Sequence, residues 1–157
     1  MDRTFIDTYE KSARHVDEAI KGLEPDDLMA FPVPGTWSIQ QVVLHLADTE
    51  QVLADRMKRI IAEDNPTLLA FDETRWTKHL EYHTQSAQDA AKMIELTRRQ
   101  MARVLRALPD EAFERTGNHS QAGPIRLREI IDKSTKHLDH HLKFIIEKRE
   151  KLGKILW

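Results

Sequence analysis

Cysteine is absent from this sequence of 157 residues. Its absence excludes disulfides, thiolate–metal sites and a thiol nucleophile supplied by the protein itself. Any thiol chemistry would therefore require a thiol that arrives on a small molecule.

The sequence also lacks an excess of one charge and lacks long apolar runs. Lys and Arg total 24 against 26 for Asp and Glu, so the net charge is −2 and nothing in the balance attracts a polyanion such as nucleic acid. No stretch approaches the roughly 18 consecutive apolar residues of a membrane span, and the N-terminus lacks the pattern of a signal peptide. We therefore expect a cytoplasmic protein with no nucleic-acid or membrane partner.

Helical periodicity dominates what the sequence does contain. The four periodic stretches run from about Thr4 to Gly22, from Ser38 towards Pro66, from about Thr84–Ser86 to Leu108, and from Leu127 to Leu152. The second opens with a capping box in which Ser38 and Gln41 exchange side-chain and backbone hydrogen bonds. The pattern predicts an all-α fold without a sheet, formed by one domain over residues 1–157.

The segment over residues 65–83 is too long for a simple bundle connection, and we expect it to pack over one end of the bundle as a short helix. Aromatic residues near that end either wall a pocket for an apolar electrophile or simply pack in the core and loops: Trp37, Phe71 and Trp76. Three arginines either hold a substrate carboxylate or are solvated surface residues: Arg56, Arg59 and Arg75.

Histidine spacing provides the strongest functional signal. His137 and His141 are four residues apart among apolar positions of the fourth helix, so they lie on one face and can chelate one metal ion. His45 on the second helix is the best candidate for a third ligand, although it could also be a histidine hydrogen-bonded to a neighbouring helix. A second pair with the same spacing, His79 and His83, lies in a polar segment and is the next place to look.

Three stretches resemble the DinB/YfiT-like superfamily. The sequence of residues 35–50 is GTWSIQQVVLHLADTE, that of residues 66–68 is PTL with FDE at 71–73, and that of residues 123–127 is GPIRL with HLDHH at 137–141. The resemblance implies a four-helix bundle with a long crossover connection, a homodimer, and a divalent metal ion held by His45, His137 and His141. Arg126 stands where the family commonly has a Thr that would cap the last helix, which weakens the predicted start of that helix.

Characterised members of the family transfer a low-molecular-weight thiol, such as bacillithiol or mycothiol, to an electrophile. Three neutral imidazoles leave an open coordination position, and zinc, nickel or iron would suit them. A thiol bound there would become a nucleophile at neutral pH, so we expect metal-dependent thiol transfer to a small-molecule substrate.

Two alternatives stay open. One is hydrolysis by water of lowered pKa, with Glu50 as base or as a residue that orients an imidazole. The other is a non-catalytic binding or stress-response module in which the metal only ties two helices together.

Overall fold

The computed structural model describes residues 2–156 and is built mainly of helices. The α-helices are α1 (Thr4–Ser12), α2 (Arg14–Ile20), α3 (Pro25–Met29), α4 (Ile39–Ala62), α5 (Glu73–His79), α6 (Ala87–Ala107) and α7 (Leu127–Lys151). Helices α1 and α2 follow each other with one residue, Ala13, between them, and together they take the place of the first predicted stretch. With α4, α6 and α7 they form the predicted four-helix bundle, which is confirmed.

The two helices that matter most for the site begin where the sequence predicts. Ser38 Oγ accepts a hydrogen bond from Gln41 N at 3.1 Å, and Gln41 Oε1 accepts one from Ser38 N at 3.0 Å, so the capping box of α4 is present. Helix α7 begins at Leu127 in spite of Arg126. The backbone N–H of Arg126 donates to Glu129 Oε2 at 2.8 Å, and this contact satisfies a donor at the helix start.

The prediction that the chain has no sheet is wrong. A small sheet has the order β1–β2–β3, with strands β1 (Thr67–Leu68), β2 (Thr116–His119) and β3 (Gly123–Arg126). β1 pairs in parallel with β2, and β2 pairs antiparallel with β3. A Cβ on Gly117 would lie 2.8 Å from Leu68 Cδ1, so glycine permits the close approach of β2 to β1. Strands of two to four residues are too short to show an alternating pattern, which is why sequence reasoning missed them.

The segment between α4 and α6 includes a short helix, as expected, but it runs back along α4 and does not pack over one end of the bundle. Arg56 near the end of α4 donates to the carbonyl of Leu69, whereas the later residues of the segment reach the start of α4. The segment contains β1, α5 and a short 3₁₀ helix at Tyr82–Thr84. Tyr82 is buried, its hydroxyl donates to Asp48, and its carbonyl accepts a hydrogen bond from Gln40 Nε2 at 3.0 Å. These contacts fix the segment to the first turns of α4 and place α5 beside the histidine-bearing face of that helix.

A polar layer divides the apolar core into two clusters. One cluster contains Val43 and Leu138, and the other contains Met57 and Ile131. The layer between them consists of buried polar or charged residues, one or more from each bundle helix: Tyr9 and Ser12 from α1, Glu50 from α4, Arg98 from α6 and Ser134 from α7. None of the helices within residues 2–156 combines the length and the hydrophobicity of a membrane span.

Candidate metal centre

The structure brings His45, His137 and His141 together. His45 lies on the buried face of α4, two turns after the capping box at Ser38, and it is only 1% exposed. His137 and His141 lie one turn apart on α7, and both are partly buried. Each of the three offers a ring nitrogen to a group whose ligand atoms all lie within 4.8 Å of one another.

The spacing within the cluster suits one ion. His45 Nε2 lies 3.1 Å from His137 Nε2, and the His141 ring centroid lies 4.7 Å from that of His45 and 4.5 Å from that of His137. Zinc–nitrogen bonds of about 2.0–2.1 Å in a tetrahedral arrangement separate two ligand nitrogens by about 3.3 Å. The observed separation of the first two nitrogens is close to that value.

Burial keeps these imidazoles uncharged at neutral pH. It lowers the pKa of His45 to about 3, with a further contribution from His141 and His137. Burial, followed by repulsion from His137 and His140, lowers the pKa of His141 to about 4. The pKa of His137 is also lowered by burial, although the nearby Glu50 carboxylate opposes that shift. Neutral imidazole is the form that binds metal ions, so the environment prepares the cluster for a cation.

A buried ring nitrogen without a hydrogen-bond partner also indicates a metal. The Nδ1 atom of His141 is buried and has no hydrogen-bond partner in the described part of the chain. Buried polar atoms normally have partners, and a group of three neutral imidazoles with few partners has lone pairs available for a cation. These observations support a divalent ion at this site. The donor set is nitrogen only and does not choose between zinc, nickel and iron.

Sequence reasoning missed a carboxylate beside the cluster. Glu73 occupies the first turn of α5, and its Oε2 atom lies 3.3 Å from His45 Nε2. Its side chain is 54% exposed, so the group stands between the histidines and solvent. Its position in the FDE stretch that resembles the family was the available signal. Nothing in the local spacing shows that α5 folds back onto α4.

Glu50 is located in the polar layer. Its Oε1 atom accepts a hydrogen bond from the Tyr9 hydroxyl at 2.7 Å, and its Oε2 atom accepts bonds from Arg98 Nη2 at 2.7 Å and Ser134 Oγ at 3.0 Å. Within the described chain it makes no hydrogen bond to the three histidines. A carboxylate that is ion-paired and 3% exposed is poorly placed to take a proton from a reactant, so its contacts favour a structural role.

The second histidine pair does not form a site. Helix α5 ends at His79, and Glu81 then adopts a left-handed conformation with φ of 50°, so His83 does not continue the same helix face. His79 is exposed, whereas His83 Nε2 lies 3.0 Å from the Ser38 hydroxyl. Neither residue belongs to a group of three or more potential metal ligands in the described residues.

The aromatic residues singled out from the sequence line two different cavities. Trp37 packs against His45, with ring centroids 5.0 Å apart, and lines a cavity of about 310 Å³ that His141 also borders. Phe71 and Trp76 contact each other with centroids 4.8 Å apart and line a second, wider cavity with Arg75. Arg56 donates to the carbonyl of Leu69, and Arg59 pairs with Asp55 on its own helix and with Glu63 directly after that helix.

Two bacterial proteins are similar in sequence to this chain over most of its length. A protein of Oceanobacillus iheyensis that carries the provisional name of metal-dependent hydrolase is 28% identical over 141 residues, which cover 90% of this chain and 81% of that protein. A protein of Bacillus cereus with the same provisional name is 28% identical over 150 residues, which cover 96% of this chain and 86% of its own.

Solved structures share the fold. YfiT from Bacillus subtilis, described as "a probable metal-dependent hydrolase with an unusual four-helix bundle topology", superposes with a TM-score of 0.88 at 24% identity and covers 96% of this chain and 86% of its own. The mycothiol-dependent maleylpyruvate isomerase superposes with a TM-score of 0.69 at 13% identity, over 89% of this chain and 58% of that one. The family model of the DinB superfamily matches residues 8–145, which include all three histidines of the cluster, and this chain belongs to the DinB superfamily.

Proposed function

We propose that this chain is a metal-dependent enzyme that conjugates a low-molecular-weight thiol to an electrophilic small molecule. The observation that carries the proposal is the convergence of three neutral imidazoles with one partly exposed carboxylate, Glu73, at their solvent side. His45, His137 and His141 would hold the ion. A divalent ion bound there would lower the pKa of a thiol or water that binds to it.

The chain's own residues supply the remaining chemistry. Glu73 is placed to accept the proton that leaves the thiol sulfur. The sulfur then forms a bond to an electrophilic carbon, and the leaving group departs with the electron pair of the bond that breaks. Trp37 and the apolar cavity beside His141 offer space for the organic electrophile next to the histidines. Holding both reactants in one orientation makes the reaction effectively unimolecular.

Two observations support a thiol as the nucleophile. The chain has no cysteine, so no thiolate of the protein competes for the ion. The fold is shared with a mycothiol-dependent enzyme, and the sequence resembles a family with known thiol transferases. The expected homodimer and cytoplasmic location stay predictions.

Hydrolysis is the second candidate, and a specific observation favours it. A carboxylate 3.3 Å from a histidine of the cluster is placed as a base for water as well as for a thiol, and the relatives carry the provisional name of hydrolases. With water as nucleophile, Glu73 would accept a proton from the water. An ester or amide carbonyl would then take the place of the alkylating or arylating electrophile.

The deciding experiment compares the two nucleophiles on the same metal-loaded protein. Purified protein is stripped with a chelator, reloaded with zinc or nickel, and tested with a chlorodinitrobenzene in the presence of a panel of small thiols. Ester and amide substrates are tested in parallel without any thiol. We expect thiol-dependent release of chloride. Ester or amide hydrolysis without thiol would replace transfer by hydrolysis.

The matched variants are His137→Ala and His140→Ala. Both positions carry histidine on α7, but His140 is exposed and lies outside the metal-binding group. We expect turnover to be lost in the first variant and kept in the second. If neither reaction appears across the panel, the metal is structural and the chain is a binding module.

A further inference from the structure

A buried ammonium group lies at the far end of the cavity that borders the metal centre. Lys148 on α7 is 3% exposed and lines the same cavity of about 310 Å³ as His141, Trp37 and Phe144. Burying a lysine is costly unless a partner compensates, so a lysine in this position requires an explanation. The proposed function does not use it.

The partners that Lys148 has within the protein are few. Its Nζ atom donates to the Thr36 hydroxyl at 2.6 Å, and Thr36 in turn donates to the carbonyl of Val33 at 2.8 Å. Within residues 2–156, Lys148 forms no ion pair. An ammonium group has three donors, and a single neutral oxygen uses only one of them. Glu147 also borders the cavity and its charge acts on Lys148, but it is exposed and forms no hydrogen bond or ion pair with Lys148 in the described residues.

The wall between Lys148 and the histidines is apolar. Phe144 lies between them on the same helix, and its ring centroid is 5.6 Å from that of His141. Trp37 forms the opposite side and contacts His45. Seven residues separate His141 from Lys148, which corresponds to a rise of about 10 Å along the helix. A cavity of this size, mostly apolar with Lys148 and Glu147 as its charged lining residues, has the character of a site for a small molecule.

We propose that this cavity binds the electrophilic substrate as a small organic acid, with its carboxylate at Lys148 and its apolar body between Trp37 and Phe144. The inference rests on the proposed function, because it orients the reactive end of the molecule towards His141. It specifies the substrate class as an acid with an apolar or aromatic body about 10 Å long. A charge-assisted bond to the carboxylate satisfies the ammonium group that the protein leaves with one partner.

Binding without turnover tests this assignment. The probes are 4-phenylbutyrate and its neutral counterpart 4-phenylbutanamide, titrated calorimetrically into metal-loaded protein. A hydrogen bond between charged groups is stronger than one to a neutral amide, so we expect the acid to bind at least about tenfold more tightly than the amide. Equal affinities for the two probes, or no binding of either, would overturn the proposal.

Lys148→Met retains the apolar stem and removes the charge, and Lys143→Met is the matched control on the exposed side of the same helix. The first variant should lose the preference for the acid while its affinity for the amide stays within about twofold. The second should behave as the unaltered protein. A preference for the acid that survives in Lys148→Met would contradict the assignment.

If that variant does not fold, Lys148→Arg should retain the preference, and acid-induced shifts in the amide resonances of Thr36 and Trp37 should locate the probe. Loss of preference in Lys148→Arg, or absence of those shifts, would contradict it.

A carboxylate could also arrive on the thiol, so a second pair of probes separates the two sources. N-acetylcysteine and N-acetylcysteine amide are titrated in the same way. If dependence on Lys148 appears only with this pair, the cavity belongs to the thiol and the assignment to the electrophile is wrong. Because no turnover is measured, intact acid binding without catalysis would contradict only the proposed function. Loss of acid preference would contradict only the cavity assignment.

Discussion

The bundle contains two polar regions that neighbour each other in the core but differ in how completely their groups are satisfied. In the polar layer, Arg98 is 1% exposed and binds Glu50, the Tyr9 carbonyl, Ser12 and Ser134. The histidine cluster has one contact at hydrogen-bond distance between its own rings, from His45 to His137, together with the nearby Glu73 carboxylate and a buried nitrogen without a partner in the described residues. One region is closed by the protein, and the other is left open for a ligand.

The difference shows how a small bundle can hold a reactive site. Removing charges from water is costly, and the polar layer offsets that cost with hydrogen bonds from four helices. The hydrogen bond from Ser134 to Glu50 joins α7 to α4 directly. It lies close to the histidines, since Glu50 follows His45 by five residues and Ser134 precedes His137 by three. The layer therefore holds the helices that carry the ligands at a set separation, and the cluster itself does not need to contribute stability.

Arg98→Met should break the closed region and produce the largest effect. It leaves the Glu50 carboxylate buried without its cation, so we expect the free energy of unfolding to fall by about 3–5 kcal/mol. Arg99→Met is the matched control, since Arg99 is exposed and its one ion pair within residues 2–156 has a distance of 4.0 Å. It should change stability by less than about 0.5 kcal/mol. Urea denaturation measures both, and similar losses in the two variants would remove the special role of the layer.

Glu73→Gln should damage the open region without loosening the fold. The amide cannot accept the proton, so we expect turnover to fall about 100-fold or more, while bound metal and the free energy of unfolding stay nearly unchanged. Glu81→Gln, at another exposed glutamate of the same segment, controls for the loss of charge. Full activity in Glu73→Gln would show that another group takes the proton.

Low pH should decrease the free energy of unfolding of the metal-free protein, because the buried histidines of the cluster resist protonation. His45 has a pKa of about 3 in the fold against an ordinary 6.5, and His141 has one of about 4. Between these lowered pKa values and the ordinary value of 6.5, the two histidines bind protons in the unfolded chain but not in the folded chain. Stability is therefore present above pH 6.5 and decreases as the pH falls towards 4, by at most about 1.4 kcal/mol per pH unit for each histidine.

His45→Gln should make this pH dependence shallower, because it removes one of the groups responsible. His15→Gln, at an exposed histidine, should leave it unchanged. Denaturation curves at several pH values between 4 and 7 provide the slopes. Identical slopes in all three proteins would show that burial of the cluster does not govern its protonation.

The sequence predicted the bundle well because long helices carry their own signals. The capping box at Ser38 and the periodic apolar residues locate α4, α6 and α7 to within a few residues. The short sheet was not predictable in this way, since it pairs residues that are far apart in the sequence, such as Thr67 and Asn118. Register between short segments depends on tertiary packing, which local patterns do not record.

The residues of the site divide in the same way, into those that local spacing reveals and those that only packing between helices brings together. His137 and His141 are one turn apart on one helix, and their spacing together with apolar neighbours was sufficient to single them out. Glu73 and Lys148 were missed because both belong to stretches rich in charge, where each resembles a solvated surface residue. Arg98 was missed for the same reason, although its partner Glu50 was among the candidate residues. Which charges turn inward is decided by contacts between helices.

Metal binding by the three histidines is the central claim, and a titration with cobalt or zinc after chelation tests it most directly. We predict one equivalent bound to the unaltered protein. Each of His45→Ala, His137→Ala and His141→Ala should weaken binding by at least about 100-fold, more than the loss of an outer partner would cost. His140→Ala should bind as the unaltered protein does. Full binding of one equivalent in all three ligand variants would contradict the account.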